Sequence, residues 1–338
     1  MPGRVGSGER FGLAVLGLWV GWAGIRAALA GHALSPGSPY VVAPMSLAAG
    51  VALGTLLAPH ARRWGVAVAL LGAAAFLLVA VLATGGPAKG AIGYANANAA
   101  LAVQLIGLCG LALLATPRGR RWPLVLAAVI SLGVTAANAS VAGLALGLPL
   151  LALVLGMGWK PAQRHTEKVV AAVLGGAATV VSATAVVALA TQPSWPAAVV
   201  RLLDQARHTM WRDAVDLWRE HPLVGAGPGA FERVSTLGGD PDTASAHSSV
   251  LQVGAETGWV GVVLLLAIVI SGLWWAARGR PAPAVVRVAT WTALVVHSMT
   301  DHLVDFPVVV LAGGIVLGWS GASARSEQLD VPQGERPG

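Results

Sequence analysis

Long apolar stretches separated by short basic clusters are the feature of this sequence that most constrains its fold. A membrane-spanning helix needs about 20 predominantly apolar residues, and stretches of this kind recur between residues 11 and 321. Only 11% of the residues are charged, whereas about a quarter are charged in an ordinary soluble domain. The sequence therefore predicts an all-α polytopic membrane protein and excludes a soluble enzyme, a disordered chain and a secreted disulfide scaffold.

The basic clusters predict which loops face the cytoplasm, because short cytoplasmic loops carry an excess of Lys and Arg. The clusters between apolar stretches contain Arg62 and Arg63, then Arg118, Arg120 and Arg121, then Lys160, Arg164 and Lys168, then Arg278, Arg280 and Arg287. The formal net charge of +7 therefore reports topology. An anionic membrane leaflet, and no nucleic acid, is the predicted partner.

These clusters divide the chain into about ten predicted transmembrane helices with both termini cytoplasmic. Single spans are predicted at 11–31, 41–59, 65–84, 93–115, 168–190 and 251–276. The stretches 123–159 and 286–321 each begin and end on the cytoplasmic side, so each crosses twice, with outer turns at 135–140 and 301–305. Residues 1–321 form one predicted transmembrane domain, and 322–338 form a predicted disordered cytoplasmic tail.

The segment 191–250 is the one long hydrophilic segment of the sequence and is predicted to be an extracytoplasmic loop. Long loops translocate regardless of their charge, and a loop of this length is usually functional. It contains a predicted amphipathic helix that ends at Pro222. Its apolar stripe follows the spacing of three and four residues and consists of Leu203, Ala206, Met210, Ala214 and Leu217.

Arg207 falls on this apolar stripe, whereas Arg201, Arg212 and Arg219 fall on the opposite, hydrated face of the helix. One interpretation is an arginine that snorkels at the edge of the stripe. The other is a guanidinium held over a site at the outer leaflet, where it binds the oxygens of an anionic group such as phosphate. We favour the second interpretation.

The segment SAHSSVLQVGAETGWVG opens the eighth predicted span and contains two further candidates, His247 and Glu256. Ser245 or Ser248 can cap the helix, which puts His247 in its first turn. The positive end of a helix disfavours imidazolium, so we expect a neutral histidine that accepts a proton, although an interfacial histidine without a role is the alternative. Glu256 is costly inside an apolar helix and needs a partner, which makes it a candidate catalytic residue.

The preceding segment HPLVGAGPGAF, residues 221–231, has the alternating glycines of a phosphate-binding loop. No strand is predicted before it and no Lys-Ser/Thr pair follows it, so a nucleotide-binding loop is excluded. A tight turn that sets the direction in which the chain leaves the loop is the predicted structure.

Three polar residues near the outer ends of predicted spans are candidates for substrate binding. Asn96 and Asn98 are suited to binding sugar hydroxyls, and interhelical hydrogen bonds are an equally good explanation. Arg26 either contacts a carrier phosphate or snorkels, and we favour snorkelling.

His297, Asp301 and Asp305 follow one another at steps of four residues, which predicts one face of a helix. That spacing is suited to holding a divalent cation. Polar packing against the outer loop is the interpretation we favour, so no metal site is predicted, and His297 and Asp301 are candidates for substrate binding.

Two motifs in this region resemble the signature of the O-antigen ligase and O-antigen polymerase superfamily. They are TMWRDAVDLWREHPLVGAGPGAF at 209–231 and AHSSVLQVGAETGWVG at 246–261, with weaker similarity in GYANANAALA at 93–102 and VVHSMTDHLVDFPVVV at 295–310. The resemblance covers roughly residues 90–320. It implies a membrane glycosyltransferase of the GT-C type in the bacterial cytoplasmic (inner) membrane. Such an enzyme moves a glycan from an undecaprenyl-diphosphate carrier to an acceptor glycan or glycolipid on the outer face, and we expect no cofactor and no metal.

Carried over by motif, the resemblance implies that Arg207 holds the diphosphate leaving group and that His247 activates the acceptor hydroxyl. The sequence departs from the family pattern at Ser248, where Asn is usual, and at 138–140, where Asn-Ala-Ser replaces the Ser-Arg of many members. These departures keep open an inactive scaffold of a polysaccharide export complex. A lipid or solute transporter is the other alternative, but its ionisable groups should lie at the bilayer midplane, and here they cluster at one face and in one loop.

Overall fold

The computed structural model describes residues 7–60, 92–237 and 243–329. Within these ranges the secondary structure consists of α-helices and short 3₁₀ turns, with no β-strand. The prediction of an all-α protein is therefore confirmed for the part of the chain that the structure describes.

The α-helices are numbered in chain order. They are α1 Ser7–Leu29, α2 Pro39–Leu57, α3 Ala95–Ala115, α4 Trp122–Ala137, α5 Val141–Trp159, α6 His165–Ala190, α7 Ala197–Leu203, α8 Gln205–Glu220, α9 Ala230–Val234, α10 Ser249–Ala276, α11 Pro281–Met299 and α12 Pro307–Leu329.

Six of the described helices are long and apolar enough to cross a membrane. These are α1, α2, α3, α5, α6 and α10, and α4 and the first part of α12 are shorter apolar helices. The predicted span at 65–84 lies outside the described residues, and each of the other predicted spans coincides with a helix. The last helix continues past residue 322 to Leu329, and the rest of the predicted tail lies outside the described residues.

A turn separates two helices at each of the two predicted reversals of the chain direction. Between α4 and α5 the chain turns at 138–140, where Ala139 has a φ of +51° and the Ser140 hydroxyl caps α5 by accepting the Gly143 N–H at 3.1 Å. Between α11 and α12 the chain turns at 300–306, and Pro307 begins α12 because proline is tolerated in the first turn of a helix.

The amphipathic helix of the segment 191–250 is present, but it begins later than predicted. Asp204, with a φ of +73°, separates α7 from α8, and its carboxylate accepts the Ala206 N–H at 3.3 Å. Leu203 therefore belongs to α7 and not to the apolar stripe of α8. The predicted faces are confirmed: the stripe residues Met210, Ala214 and Leu217 are buried, and the arginines at 201, 212 and 219 are exposed.

The described residues group into two compact units. The first takes those within 1–45, 176–272 and 295–307, and the second takes the remainder. Asn96 and Asn98 belong to the second unit. The other candidate residues belong to the first unit, and they are Arg26, Arg207, His247, Glu256, His297 and Asp301.

Glycine permits close helix packing in the second unit. A Cβ atom at Gly50 of α2 would lie 2.2 Å from the carbonyl oxygen of Leu311 in α12, and one at Gly314 would lie 2.4 Å from that of Leu47. Small residues of this kind let helix backbones approach each other where side-chain hydrophobicity cannot drive association.

Candidate active site

Arg207 connects the loop helix α8 to the turn between α11 and α12. Its Nη2 donates a hydrogen bond to Oδ2 of Asp301 at 3.0 Å, and its Nη1 donates one to the carbonyl oxygen of Thr300 at 2.8 Å. The side chain of Arg207 is 15% exposed and that of Asp301 is 1% exposed. Arg207 thus departs from the exposed arginines of α8, as its position on the apolar stripe predicts.

Asp301 is the buried anion at the centre of this site. Its Oδ1 accepts two hydrogen bonds from His302, one from the backbone N–H at 2.8 Å and one from Nδ1 at 2.9 Å. An ionised carboxylate only accepts, so Nδ1 of His302 carries the proton. Burial acts to raise the pKa of Asp301, but the His302 hydrogen bond and the positive charge of Arg207 hold that pKa well below its usual range.

His247 lies against the same carboxylate. Its Nδ1 is 3.7 Å from Oδ1 of Asp301, and its ring centroid is 4.1 Å from that of His302. It has a φ of +48°, and a left-handed conformation of a residue other than glycine is a strain that is found mostly at functional sites. The prediction that His247 lies in the first turn of the helix is wrong, because α10 begins at Ser249.

The helix α10 is broken at Gly258, whose φ of +67° and ψ of −166° are accessible only to glycine. A break of this kind leaves backbone groups without partners in the helix. The loop 222–228 supplies them: Trp259 and Val260 donate to the carbonyls of Pro222 and Leu223 at 2.9 and 3.3 Å, and Ala226 and Gly227 donate to those of Ala255 and Glu256 at 2.9 and 2.8 Å.

The glycine-rich segment therefore forms the predicted tight turn, and its backbone groups make hydrogen bonds to those at the break in α10. Gly225, Gly227 and Gly229 all have positive φ angles. A Cβ atom at Gly225 would lie 2.2 Å from the carbonyl carbon of Glu256, so only glycine allows this approach.

Glu256 and Arg26 both contact this loop. Oε1 of the buried Glu256 accepts the N–H of Phe231 at 3.2 Å, and Nη2 of Arg26 donates to the carbonyl oxygen of Gly225 at 2.6 Å. Two further residues of the α1 region also take part: Trp22 donates to Thr257 at 3.0 Å and His32 to Pro228 at 3.0 Å. The contact of Arg26 is thus with the loop backbone, in place of the predicted snorkelling.

A family model described as O-antigen ligase (Wzy_C) matches residues 126–266. Residues 126–266 are thus similar to the O-antigen ligase family. A search of curated proteins finds no match to it.

The segment that matches the O-antigen ligase model runs from α4 into α10 and contains Arg207, His247 and Glu256. Together with the long apolar helices, this similarity supports a multi-pass membrane protein with a glycosyltransferase-like role in polysaccharide synthesis. Asp301 and His302 lie beyond the matched segment, and the fold brings them to it.

One group of side chains in the described part of the chain has the composition of a metal site. The ligand atoms of His247, Asp301 and His302 all lie within 4.8 Å of one another, and two imidazoles with a carboxylate suit a transition metal. The guanidinium of Arg207 binds the same carboxylate and opposes a second cation there. The expectation that no metal is needed stays a prediction.

The predicted trio His297, Asp301 and Asp305 does not share a helix face, because α11 ends at Met299 and the chain then turns. The structure instead joins Asp301 to α8 through Arg207, which is polar packing of the kind that we favoured. Burial raises the pKa of Asp305 to about 6, with the charge of His302 opposing and that of Asp301 adding to the rise.

Asn96 and Asn98 have partners within the second unit. Nδ2 of Asn98 lies 3.4 Å from Oδ1 of Asn138, and its Oδ1 accepts the N–H of Ile92 at 3.1 Å. Nδ2 of Asn96 lies 3.4 Å from the hydroxyl of Tyr94. The contact between Asn98 and Asn138 is an interhelical hydrogen bond, and sugar binding by either residue stays a prediction.

Sequence reasoning missed His302, although it contacts both Asp301 and His247. The available signal was its place beside Asp301 in a predicted turn. It also missed His208, which is buried, with Nε2 3.0 Å from the carbonyl oxygen of Gln192 and its ring 4.8 Å from that of Trp195. These contacts attach α8 to the chain that follows α6.

Proposed function

We propose that this protein transfers a glycan from an undecaprenyl-diphosphate carrier to an acceptor glycan or glycolipid. The reaction takes place on the outer face of the bacterial cytoplasmic membrane, where the segment 191–250 lies. One observation carries the proposal: the buried carboxylate of Asp301 binds Arg207 and lies 3.7 Å from Nδ1 of His247, so a cation and a base share one anion.

The reaction substitutes one oxygen for another at the anomeric carbon of the carrier-linked sugar. The acceptor hydroxyl attacks this carbon and forms the new glycosidic C–O bond, while its proton passes to the imidazole of His247. The C–O bond to the carrier breaks, and its electron pair leaves with the terminal phosphate oxygen. The products are the extended glycan or glycolipid and undecaprenyl diphosphate.

His247 acts as the general base in this step. Its proton uptake creates an imidazolium, which the neighbouring carboxylate of Asp301 stabilises without taking the proton itself. A base positioned in this way contributes typically about 10²–10⁴-fold to the rate. The short distance from Nδ1 of His247 to this carboxylate, 3.7 Å, supports the role.

Arg207 acts on the leaving group. Negative charge develops on the diphosphate as it leaves, and a fixed cation in a site that excludes water stabilises it. A guanidinium suits this role because it can bind two phosphate oxygens in a bidentate manner. Its hydrogen bonds to Thr300 and Asp301 hold it on the α11–α12 turn. In this position it is pre-organised and does not have to be ordered by substrate.

Glu256 and Arg26 support the reaction from a distance. Both hold the glycine-rich loop, Glu256 through Phe231 and Arg26 through Gly225, and that loop connects α8, which carries Arg207, to the rest of the site. We therefore assign them to the positioning of Arg207, while Asn96 and Asn98 stay candidates for binding sugar hydroxyls.

A transporter is less well supported. Transporters use broken helices whose exposed backbone groups bind ions or substrate, and α10 has such a break at Gly258. Here the loop 222–228 already occupies the backbone groups at the break, which leaves it a structural role.

The test is transfer by the purified protein in lipid vesicles that contain undecaprenyl-diphosphate-linked glycan and an acceptor. We expect a new glycosidic bond in the product by mass spectrometry, and its loss in Asp301→Asn. Asp216→Asn is the matched control, because Asp216 is an exposed acid on α8. Movement of intact carrier-linked glycan across the vesicle without bond formation would identify a transporter, and neither activity would support the scaffold.

A further inference from the structure

His302 is a partly buried histidine that none of the steps above uses. It lies in the turn between α11 and α12, with its side chain 14% exposed. Its ring lies between two others, 4.1 Å from the centroid of His247 and 5.2 Å from that of Phe306. Its Nδ1 donates to Oδ1 of Asp301 at 2.9 Å.

Two imidazoles therefore face a single carboxylate oxygen. Nδ1 of His302 is within hydrogen-bonding distance of Oδ1 of Asp301, whereas Nδ1 of His247 is 3.7 Å away, beyond that distance. A carboxylate that accepts a short hydrogen bond has less negative charge available for a second partner. The contact with His302 thus weakens the attraction of Asp301 for a proton on His247.

We propose that His302 is a positioning residue for the general base, holding Asp301 so that His247 stays uncharged until the acceptor hydroxyl releases its proton. The inference rests on the proposed function. The direction of this effect on the protonation of His247 does not depend on the charge of His302. A neutral His302 shields the carboxylate of Asp301 by its hydrogen bond, and a protonated His302 repels a proton from His247. Either form makes His247 harder to protonate in the resting enzyme.

Other charged or titratable groups among the described residues interact with Asp301 or with His302, and each enters the pH dependence. They are Arg207 from α8, Asp301 and Asp305 from the turn, and His297 from α11. Asp305 interacts with His302 and titrates near pH 6. The measurements are therefore made in the wild type and in an Asp305→Asn background.

Two substitutions separate the hydrogen bond from the ring contact. His302→Phe keeps a ring against His247 and removes the donor to Asp301. His302→Asn removes the ring, but its side-chain amide takes the position of Nδ1 and keeps the donor. A merely structural role for His302 predicts that the variant with the ring is closer to the wild type.

The experiment is the pH dependence of kcat/KM for transfer, which reports the protonation of the free enzyme. We expect His302→Phe to move the acidic limb to higher pH by about one unit, the size that the loss of one charge-assisted hydrogen bond gives. Activity below that limb falls about tenfold and is restored at high pH. His302→Asn keeps the wild-type profile.

An unchanged limb in His302→Phe would overturn the inference, and so would equal shifts in both variants. If His302→Phe does not fold, His302→Leu is used in its place, because it also removes the donor to Asp301. A wild-type enzyme without transfer at any pH would instead refute the proposed function. The two failures are therefore distinguishable.

Discussion

A buried carboxylate such as Asp301 is stable only because donors surround it. Arg207 and both donors of His302 satisfy its oxygens, and burial of a charge without partners costs several kcal/mol. The same contacts bring the proposed leaving-group cation and the proposed base to one anion. At the level of single residues, stability and catalysis are thus coupled in this site.

Arg207→Ala should abolish transfer and should also destabilise the protein by about 3–5 kcal/mol, because it leaves Asp301 without its cation. Arg212→Ala should change both properties little, since Arg212 lies exposed on the same helix. Activity assays and thermal unfolding in detergent measure the two effects. Equal losses in both variants would show that the face of α8 does not matter.

Asp305 gives a pH dependence to stability. Its pKa is raised from 3.8 to about 6 in the folded protein, so the folded state binds the proton more tightly than the unfolded state. The stabilisation is present below pH 4 and is lost as the pH rises to 6, by about 3 kcal/mol at most. Asp305→Asn should remove this fall from the pH profile of thermal unfolding, and an unchanged profile would contradict the assignment.

The broken helix α10 and the loop 222–228 form one structural element. Periodicity predicted a continuous span at 251–276 because Gly258 does not interrupt an apolar pattern. The break could not be predicted, since it depends on backbone groups of a segment that lies far along the chain. The alternating glycines did indicate a turn, and the reason for glycine at 225 is the close approach to Glu256.

Gly225→Ala should destabilise the protein much more than Gly31→Ala. Both glycines have positive φ, +70° and +83°, so both variants lose about 1–2 kcal/mol to the left-handed conformation. A Cβ at Gly31 meets nothing within 4 Å, whereas one at Gly225 would lie 2.2 Å from backbone. Thermal unfolding compares the two, and similar losses would show that the loop can move away from α10.

At the scale of the whole molecule, hydrophobic length and periodicity predicted the all-α fold, the amphipathic helix of the segment 191–250 and the turns near 138–140 and 301–305. These patterns depend on neighbouring residues in the sequence, so they were sufficient to predict individual helices and turns. The clustering of Arg207, His247 and Asp301 could not be predicted from spacing, because 94 residues separate Arg207 from Asp301. The false helix face at 297–305 has the same cause: a regular spacing does not show where a helix ends.

The sidedness of the loop is a prediction for the molecule in its membrane. Glu220→Cys, at the exposed end of α8, should react with a membrane-impermeant thiol reagent in intact cells. Gly119→Cys, in a predicted cytoplasmic loop, should react only after lysis. The native Cys109 is buried and contributes little background. Labelling of residue 220 only after lysis would invert the proposed topology.

The central claim is that His247 is the base and that it works without a metal. The most direct measurement is the transfer rate of His247→Gln in vesicles, with and without a chelator, against His221→Ala as the exposed histidine control. We predict that His247→Gln lowers turnover by about 10²–10⁴-fold, that carrier binding is retained through Arg207, and that the chelator changes nothing. Loss of wild-type activity with the chelator, together with turnover retained in His247→Gln, would contradict the account.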